Sequence, residues 1–229
     1  MQNAATEPAK PEQPEETTGQ AEDATEPTGE TEETEPQMLP QYAALYEMNS
    51  DIVGWLTIPN TRVDYPVMQT PDRPNYYLER NFEKNFSAQG CLYAREEADI
   101  QKPSDNITIF GHNMADGSMF NCLGAYTSKY AWENNPLIMF DTLYEYHTYK
   151  IFAVFKTTAT LGKGFSYHKF VDAADEAAFN EFVSTCKSLS LYEHLQLDKL
   201  DCTVAIIKNA KSSKLGKKDI LKVECDIDK

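Results

Sequence analysis

Apolar side chains alternate with polar ones in short runs along most of the chain after residue 50, which is the pattern of half-buried β-strands. Turn-forming residues such as Pro59 and Asn60 separate the runs. The runs cover residues 53–59, 63–69, 90–94, 106–112, 137–142, 146–157, 202–210 and 219–227. Eight short strands with few helices predict a mainly β fold with peripheral helices, either a barrel or a sandwich.

Helical spacing of apolar residues is confined to three segments. Residues 39–49 predict a short helix, and a second is expected within 118–135, after His112. The clearest pattern spans 173–189, with Asp172 as the predicted N-cap. Its apolar stripe consists of Phe179, Phe182, Val183, Cys186 and Leu189. Cys186 therefore belongs to a buried helical face, where free cysteines are commonly core residues.

Composition divides the chain at residue 38. Residues 1–38 are rich in Glu, Thr and Pro, contain no aromatic residue and carry most of the formal net charge of −15. Such a segment buries too little apolar surface to offset its ordering entropy, so we expect a disordered acidic spacer. Residues 39–229 are dense in aromatic and β-branched residues, and roughly 190 residues suffice for one folded domain.

The acidic stretch fits a spacer that holds the domain away from a surface, although a disordered tail on a soluble protein has the same composition. The sequence contains neither a run of about 18 apolar residues nor a signal-peptide pattern. Any attachment to a membrane is therefore expected to use an anchor that is absent from this chain. The negative net charge argues against nucleic-acid binding.

The five cysteines do not form a recognisable framework. Cys91, Cys122, Cys186, Cys202 and Cys225 are widely spaced and include no Cys-x-x-Cys pair. This spacing predicts neither a zinc site nor a set of disulfides. Acidic residues are not grouped at calcium-loop spacing, and we expect no metal or organic cofactor.

Four stretches, taken together and in order, resemble class B sortases. They are residues 51–69 (DIVGWLTIPNTRVDYPVMQ), 75–94 (NYYLERNFEKNFSAQGCLYA), 106–123 (NITIFGHNMADGSMFNCL) and 137–155 (LIMFDTLYEYHTYKIFAVF). The resemblance implies a sortase-like eight-stranded β-barrel with added helices, in a cysteine transpeptidase on the outer face of a Gram-positive cell membrane.

The same resemblance implies the chemistry. In that family a cysteine thiolate attacks the threonyl carbonyl of a surface protein's sorting signal, and an amine of a peptidoglycan precursor resolves the thioacyl enzyme. The family's catalytic set is one His, one Cys and one Arg. His112 matches the family's histidine within Gly-His-Asn-Met. A histidine at a strand end, before a Gly/Ser-containing loop, can change charge near neutral pH as a general acid must.

The C-terminal part of the motif does not match. The family's nucleophile lies in a Thr-Cys pair at a strand end, and its arginine begins the next strand. Here Cys202 precedes Thr203 and lies early in its strand, and no arginine follows Arg95. Cys202 is the candidate nucleophile, but its strand face is apolar, and burial would make the thiol inert. Lys217 or Lys218 could supply a charge but lacks the rigid fork of arginine.

Three explanations remain open at this stage. The nucleophile is displaced but works, the domain is a sortase-like binding module without catalysis, or a frameshift has altered the C-terminus. Restoring one base lost in the codon of Thr203 would let residues 203–206 read Thr-Cys-Ser-Tyr, with an arginine across Asn209 and Ala210. A serine hydrolase is a weaker reading, because the sequence has no Gly-x-Ser-x-Gly elbow and Ser118 follows a turn-forming Asp116-Gly117 pair.

Overall fold

The computed structural model describes residues 36–158, 164–192, 203–209 and 217–225, the last two segments by their backbone alone. All of them belong to one compact unit, residues 36–229. The predicted spacer lies outside the described residues except for 36–38. Met38 and Leu39 pack against a buried cluster, so these two residues belong to the folded domain.

Eight strands close into a barrel in the order β1-β2-β3-β4-β7-β8-β6-β5. Neighbouring strands are antiparallel except for β2 with β3 and β4 with β7, which are parallel. The strands are β1 (Ile52–Thr57), β2 (Asp64–Met68), β3 (Leu92–Ala94), β4 (Asn106–His112), β5 (Leu137–Thr142), β6 (Thr148–Thr158), β7 (Thr203–Asn209) and β8 (Lys217–Cys225). The prediction of a mainly β fold is therefore confirmed.

Strand β4 is buried on both of its faces. Ile107 and Ile109 are 0 % exposed and belong to the main core cluster. Phe110, which alternates with them, packs instead against two further clusters on the other side of the strand. Because side chains alternate across a strand, His112 shares the face of Phe110.

The helices lie before β1 and in the segments that connect the strands. They are α1 (Pro40–Met48), α2 (Lys129–Asn134) and α3 (Glu176–Leu189), with 3₁₀ turns at Tyr76–Glu79, Phe120–Thr127 and Tyr167–Lys169. The helix expected within 118–135 is thus divided, because Ser128 adopts extended backbone between its 3₁₀ and α parts. Among the described helices, none is long and apolar enough to cross a membrane.

Helix α3 begins three residues later than the sequence suggested. Its N-cap is Asp175, whose Oδ1 accepts a hydrogen bond of 2.8 Å from the amide of Ala178. The prediction of Asp172 as the cap was wrong, because that carboxylate accepts hydrogen bonds from the Asp105 amide and the Ser104 hydroxyl instead. The predicted burial of Cys186 is confirmed at 0 % exposure.

Replacing the cap tests this assignment. Asp175→Ala is expected to lower the free energy of unfolding by about 1 kcal/mol, because an amide of the first turn loses its acceptor. Asp175→Asn is the matched control and should retain most of the stability, since asparagine caps helices about as well as aspartate. Urea unfolding of the full chain measures both. Equal losses in the two variants would show that Asp175 acts through its charge on the helix dipole rather than as a cap.

Candidate active site

His112 is the last residue of β4, and a loop follows it directly. It is 4 % exposed. The preceding Gly111 allows tight packing there, since a Cβ at that position would lie 2.5 Å from the side chains of Leu92 and Phe120. Beyond the histidine, a bridge between Asn113 and Met119 closes a short loop. The ring is therefore held at a tightly packed strand end.

The two nitrogens of the His112 ring have different surroundings. Nε2 lies 2.7 Å from the carbonyl oxygen of Leu78. Because a carbonyl can only accept, Nε2 is the nitrogen that carries the hydrogen in the neutral ring. Nδ1 is buried and has no hydrogen-bond partner in the part of the chain that the structure describes. In this ring form Nδ1 carries the lone pair and can accept a hydrogen bond.

The loop after His112 is ordered by Asp116. Its Oδ1 accepts hydrogen bonds from both the amide (3.0 Å) and the hydroxyl (2.6 Å) of Ser118, and these bonds hold the pKa of Asp116 below its ordinary value. Its backbone oxygen accepts a bond of 2.9 Å from Arg62, and Gly117 has a positive φ of 85°. Ser118 therefore serves the turn, as the sequence predicted.

Strand β7 lies beside His112 on the side opposite β3. The parallel register pairs His112 with Asn209, the last residue of β7, and pairs Asn106 with Thr203, the first. Thr203 is six positions from Asn209, or roughly 20 Å at the usual rise of a strand. The candidate nucleophile Cys202 lies outside the described residues. At the strand end beside His112, the chain has an asparagine and not a cysteine.

The region expected to carry the arginine begins with lysines. Strand β8 starts at Lys217, and Lys218 follows. The antiparallel register pairs these two residues with Thr158 and Thr157 of β6. The structure describes only their backbone, and neither lysine is assigned the role of the arginine.

A different cysteine directly precedes β3, the strand that pairs with β4. Cys91 belongs to the buried cluster that also contains Tyr77 and Tyr93. Burial, together with the negative charge of Glu83, raises the pKa of the Cys91 thiol to about 12. A thiol with such a pKa is almost entirely protonated near neutral pH and is a poor nucleophile.

No group of three or more His, Cys, Asp or Glu residues could hold a metal ion within the described segments. Among the described cysteines Cys91, Cys122 and Cys186, no two form a disulfide with each other. Cys122 packs against the main core cluster and Cys186 belongs to the cluster under α3. Their positions agree with the packing roles expected from the sequence.

Comparison with known proteins identifies most of the described fold. A family model described as a sortase domain matches residues 56–191. Sortase B of Listeria monocytogenes is 31 % identical over 148 residues, which are 65 % of this chain and 58 % of that protein. Sortase B of Staphylococcus aureus is 30 % identical over 119 residues, which are 52 % and 48 % of the two chains. The chain thus spans about half the length of the curated relatives it matches.

Solved structures show the same fold. A Staphylococcus aureus sortase B–substrate complex superposes with a TM-score of 0.74 at 24 % identity, covering 82 % of this chain and 85 % of that one. Sortase B from Listeria monocytogenes superposes with a TM-score of 0.69 at 26 % identity, covering 79 % and 97 %. The sortase-like architecture predicted from the sequence is confirmed.

The C-terminal segment is similar to a different protein. A model described as the allosteric domain of the aspartate carbamoyltransferase regulatory chain matches residues 181–229. That regulatory chain in Clostridium botulinum is 53 % identical over 36 residues, which are 16 % of this chain and 25 % of that protein. The similarity holds in the reading frame as translated. The Thr-Cys pair and the arginine are therefore missing from a segment that resembles another protein, and a lost base is not needed to explain their absence.

Alkylation tests the assignment of Cys91 as an inert thiol. With a pKa of about 12, roughly one thiol in ten thousand is ionised at about pH 8. We expect iodoacetamide to leave Cys91 unmodified in the folded chain and to modify it in denaturant, as measured by peptide mass mapping. The partly exposed Cys122 is the internal comparison. Rapid modification of Cys91 in the folded chain would make it a candidate nucleophile after all.

Proposed function

The chain belongs to the sortase family, and we propose that it acts as a cysteine transpeptidase on a threonine-containing sorting signal of a surface protein. A thiolate attacks the threonyl carbonyl, and the peptide bond after threonine breaks as protonated His112 transfers its proton to the leaving amine. The acyl group then sits on sulfur. An amine of a peptidoglycan precursor attacks it, the thiolate leaves, and the histidine takes up the proton that the amine loses.

The observation that supports this reaction is the hydrogen bonding of the two His112 ring nitrogens. One nitrogen is fixed by the Leu78 carbonyl and the other is left without a partner among the described residues. A packing histidine would be expected to satisfy both nitrogens, because a buried polar atom without a hydrogen bond costs about 1–3 kcal/mol. The unsatisfied Nδ1 is explained if a reacting group completes its hydrogen bonding during catalysis.

The proposed partners follow from the family reaction. They are a surface protein with a C-terminal sorting signal and the amine of a peptidoglycan precursor. One solved relative, sortase B of Staphylococcus aureus, is a substrate complex. We place the reaction at the outer face of the membrane of a Gram-positive bacterium, with the acidic segment 1–38 as a spacer.

A second candidate is a sortase-like module that binds the signal without cleaving it. Two observations favour it. The register places Asn209, rather than a cysteine, beside His112, and the segment that carries β7 and β8 is similar to a carbamoyltransferase regulatory chain. In this version the barrel and the histidine are retained, but the thiolate that must attack the carbonyl is missing from the strand end.

A thioacyl adduct distinguishes the two candidates. The full chain is incubated with a panel of threonine-containing sorting peptides and its intact mass is measured. A working cysteine nucleophile predicts a mass increase equal to the threonine-terminated peptide fragment minus one water, and this increase disappears in His112→Gln. Loss of the adduct in Cys202→Ala would identify that cysteine as the nucleophile and would show that the start of β7 approaches His112 in the working enzyme. If a fluorescent peptide binds but no adduct forms with any sequence, the chain is the binding module.

Moving the thiol tests whether β7 is the right strand. Asn209→Cys introduces a cysteine at the position paired with His112. Thr203→Cys is the matched control, because it introduces a cysteine six positions earlier on the same face of the strand, paired with Asn106. Both variants carry Cys202→Ala. A thiol beside the histidine has a lower pKa and reacts faster, so Asn209→Cys should be alkylated several-fold faster at neutral pH.

Adding His112→Gln should remove this difference in rate. Equal rates for the two introduced thiols with His112 intact would mean that the histidine does not activate a thiol at the end of β7. That result would remove the physical basis for a transpeptidase centred on this strand.

A further inference from the structure

The carbonyl that holds His112 belongs to a segment fixed by a buried tyrosine. Leu78 lies in the 3₁₀ turn Tyr76–Glu79, and Tyr77 beside it is 1 % exposed. The hydroxyl of Tyr77 accepts a hydrogen bond of 2.8 Å from Asn49 Nδ2 and donates one of 2.7 Å to Asp51 Oδ2. Both bonding directions of the hydroxyl are thus used, and the turn is tied to the segment between α1 and β1.

Asp51 makes this bond a charge-assisted one. Burial alone would raise its pKa, but hydrogen bonds from Tyr77 and Lys84, with the positive charges of Lys84 and Arg73, hold the pKa below its ordinary value. Lys84 Nζ lies 3.0 Å and Arg73 Nη2 lies 3.6 Å from Asp51 Oδ2. Hydrogen bonds to an ionised acceptor are shorter and stronger than neutral ones, so the hydroxyl of Tyr77 has a fixed direction.

Two further contacts fix the backbone of the turn from the side of β3. The amide of Cys91 donates a bond of 3.0 Å to the carbonyl of Tyr77. Gly90 has a positive φ of 62°, and a Cβ there would collide with the carbonyl oxygens of both Tyr77 and Leu78. Glycine is therefore required by conformation and by space. The Leu78 carbonyl is enclosed on this side, and its oxygen meets the Nε2 of His112.

We propose that Tyr77, held by Asn49 and Asp51, is a positioning residue for His112. It fixes the turn whose Leu78 carbonyl selects the ring form with hydrogen on Nε2, and this leaves Nδ1 as the nitrogen that exchanges the proton. The role given to Nδ1 rests on the proposed function. The ring form itself does not, and it can be measured whether or not the chain is active.

The test is the protonation pattern of the ring in solution. Long-range ¹H–¹⁵N correlation spectra of the labelled full chain, recorded at alkaline pH where the rings are neutral, distinguish a protonated from an unprotonated ring nitrogen. His112→Gln identifies the His112 signals among the four histidines of the chain. We expect one dominant form, with Nε2 protonated and Nδ1 unprotonated. A dominant Nδ1-protonated form, or an even mixture, would overturn the proposal.

Variants then connect the ring to the tyrosine. Tyr77→Phe removes the hydroxyl held by Asn49 and Asp51, and it should give a mixture of ring forms or exchange-broadened His112 signals. Gly90→Ala should do the same by displacing the Leu78 carbonyl directly. Tyr126→Phe is the matched control, because it removes another buried tyrosine hydroxyl, bonded to the Asn135 carbonyl. It should leave the His112 signals unchanged.

A general loss of stability would affect all these variants alike, whereas the proposal predicts a change only in the variants around Leu78. Folded Tyr77→Phe with the ring pattern of the unmodified chain would overturn it. If Tyr77→Phe does not fold, Asp51→Asn is the milder substitution, since it keeps an acceptor but removes the charge, and it must show the same change to a smaller degree. Failure to form a thioacyl adduct would leave these spectra unaffected, so the two proposals fail separately.

Discussion

The structure depends on one strand that is buried on both faces. On one side of β4, Ile107 and Ile109 form part of the barrel interior, and on the other side Phe110 joins the clusters beneath α3 and α1. Such a strand cannot shift its register without exposing apolar side chains on one face or crowding them on the other. The backbone of His112, at the end of this strand, is therefore held in a fixed position. Its ring is oriented by the Leu78 carbonyl, which lies in the 3₁₀ turn.

Barrel closure and catalysis make different demands on the neighbouring strand. Closure requires that β7 hydrogen-bond to β4 and β8 over its length, and alternating apolar residues of many kinds can satisfy this. Catalysis requires a cysteine at one position. The segment similar to a carbamoyltransferase regulatory chain pairs with β4 from Thr203 to Asn209, yet has asparagine at the end beside His112. A fold can therefore be completed by a sequence that lacks the family's chemistry.

Much of the fold was predictable from local patterns. The strand runs anticipated all eight strands to within a few residues, and the stripe through Phe182 and Cys186 anticipated α3. The errors arose where tertiary contacts overrode local preference. Asp172 has the side chain of a cap, but hydrogen bonds with the segment before β4 engage it instead. Residues on both sides of Ser128, such as Tyr126 and Trp132, belong to the main core cluster, and periodicity did not reveal the break between them.

For the candidate site, too, some features were predictable from the sequence and others were not. The sequence by itself determined that His112 stands at a strand end in a sortase-like segment and that the expected Thr-Cys pair and arginine are missing, because short motifs are visible in one dimension. Only the tertiary structure decided which ring nitrogen lacks a partner among the described residues, that Cys91 is buried, and that Asn209 is paired with the histidine. These facts depend on strand register and on contacts between residues far apart in the chain, and burial and hydrogen bonding at His112 exist only once those strands are paired.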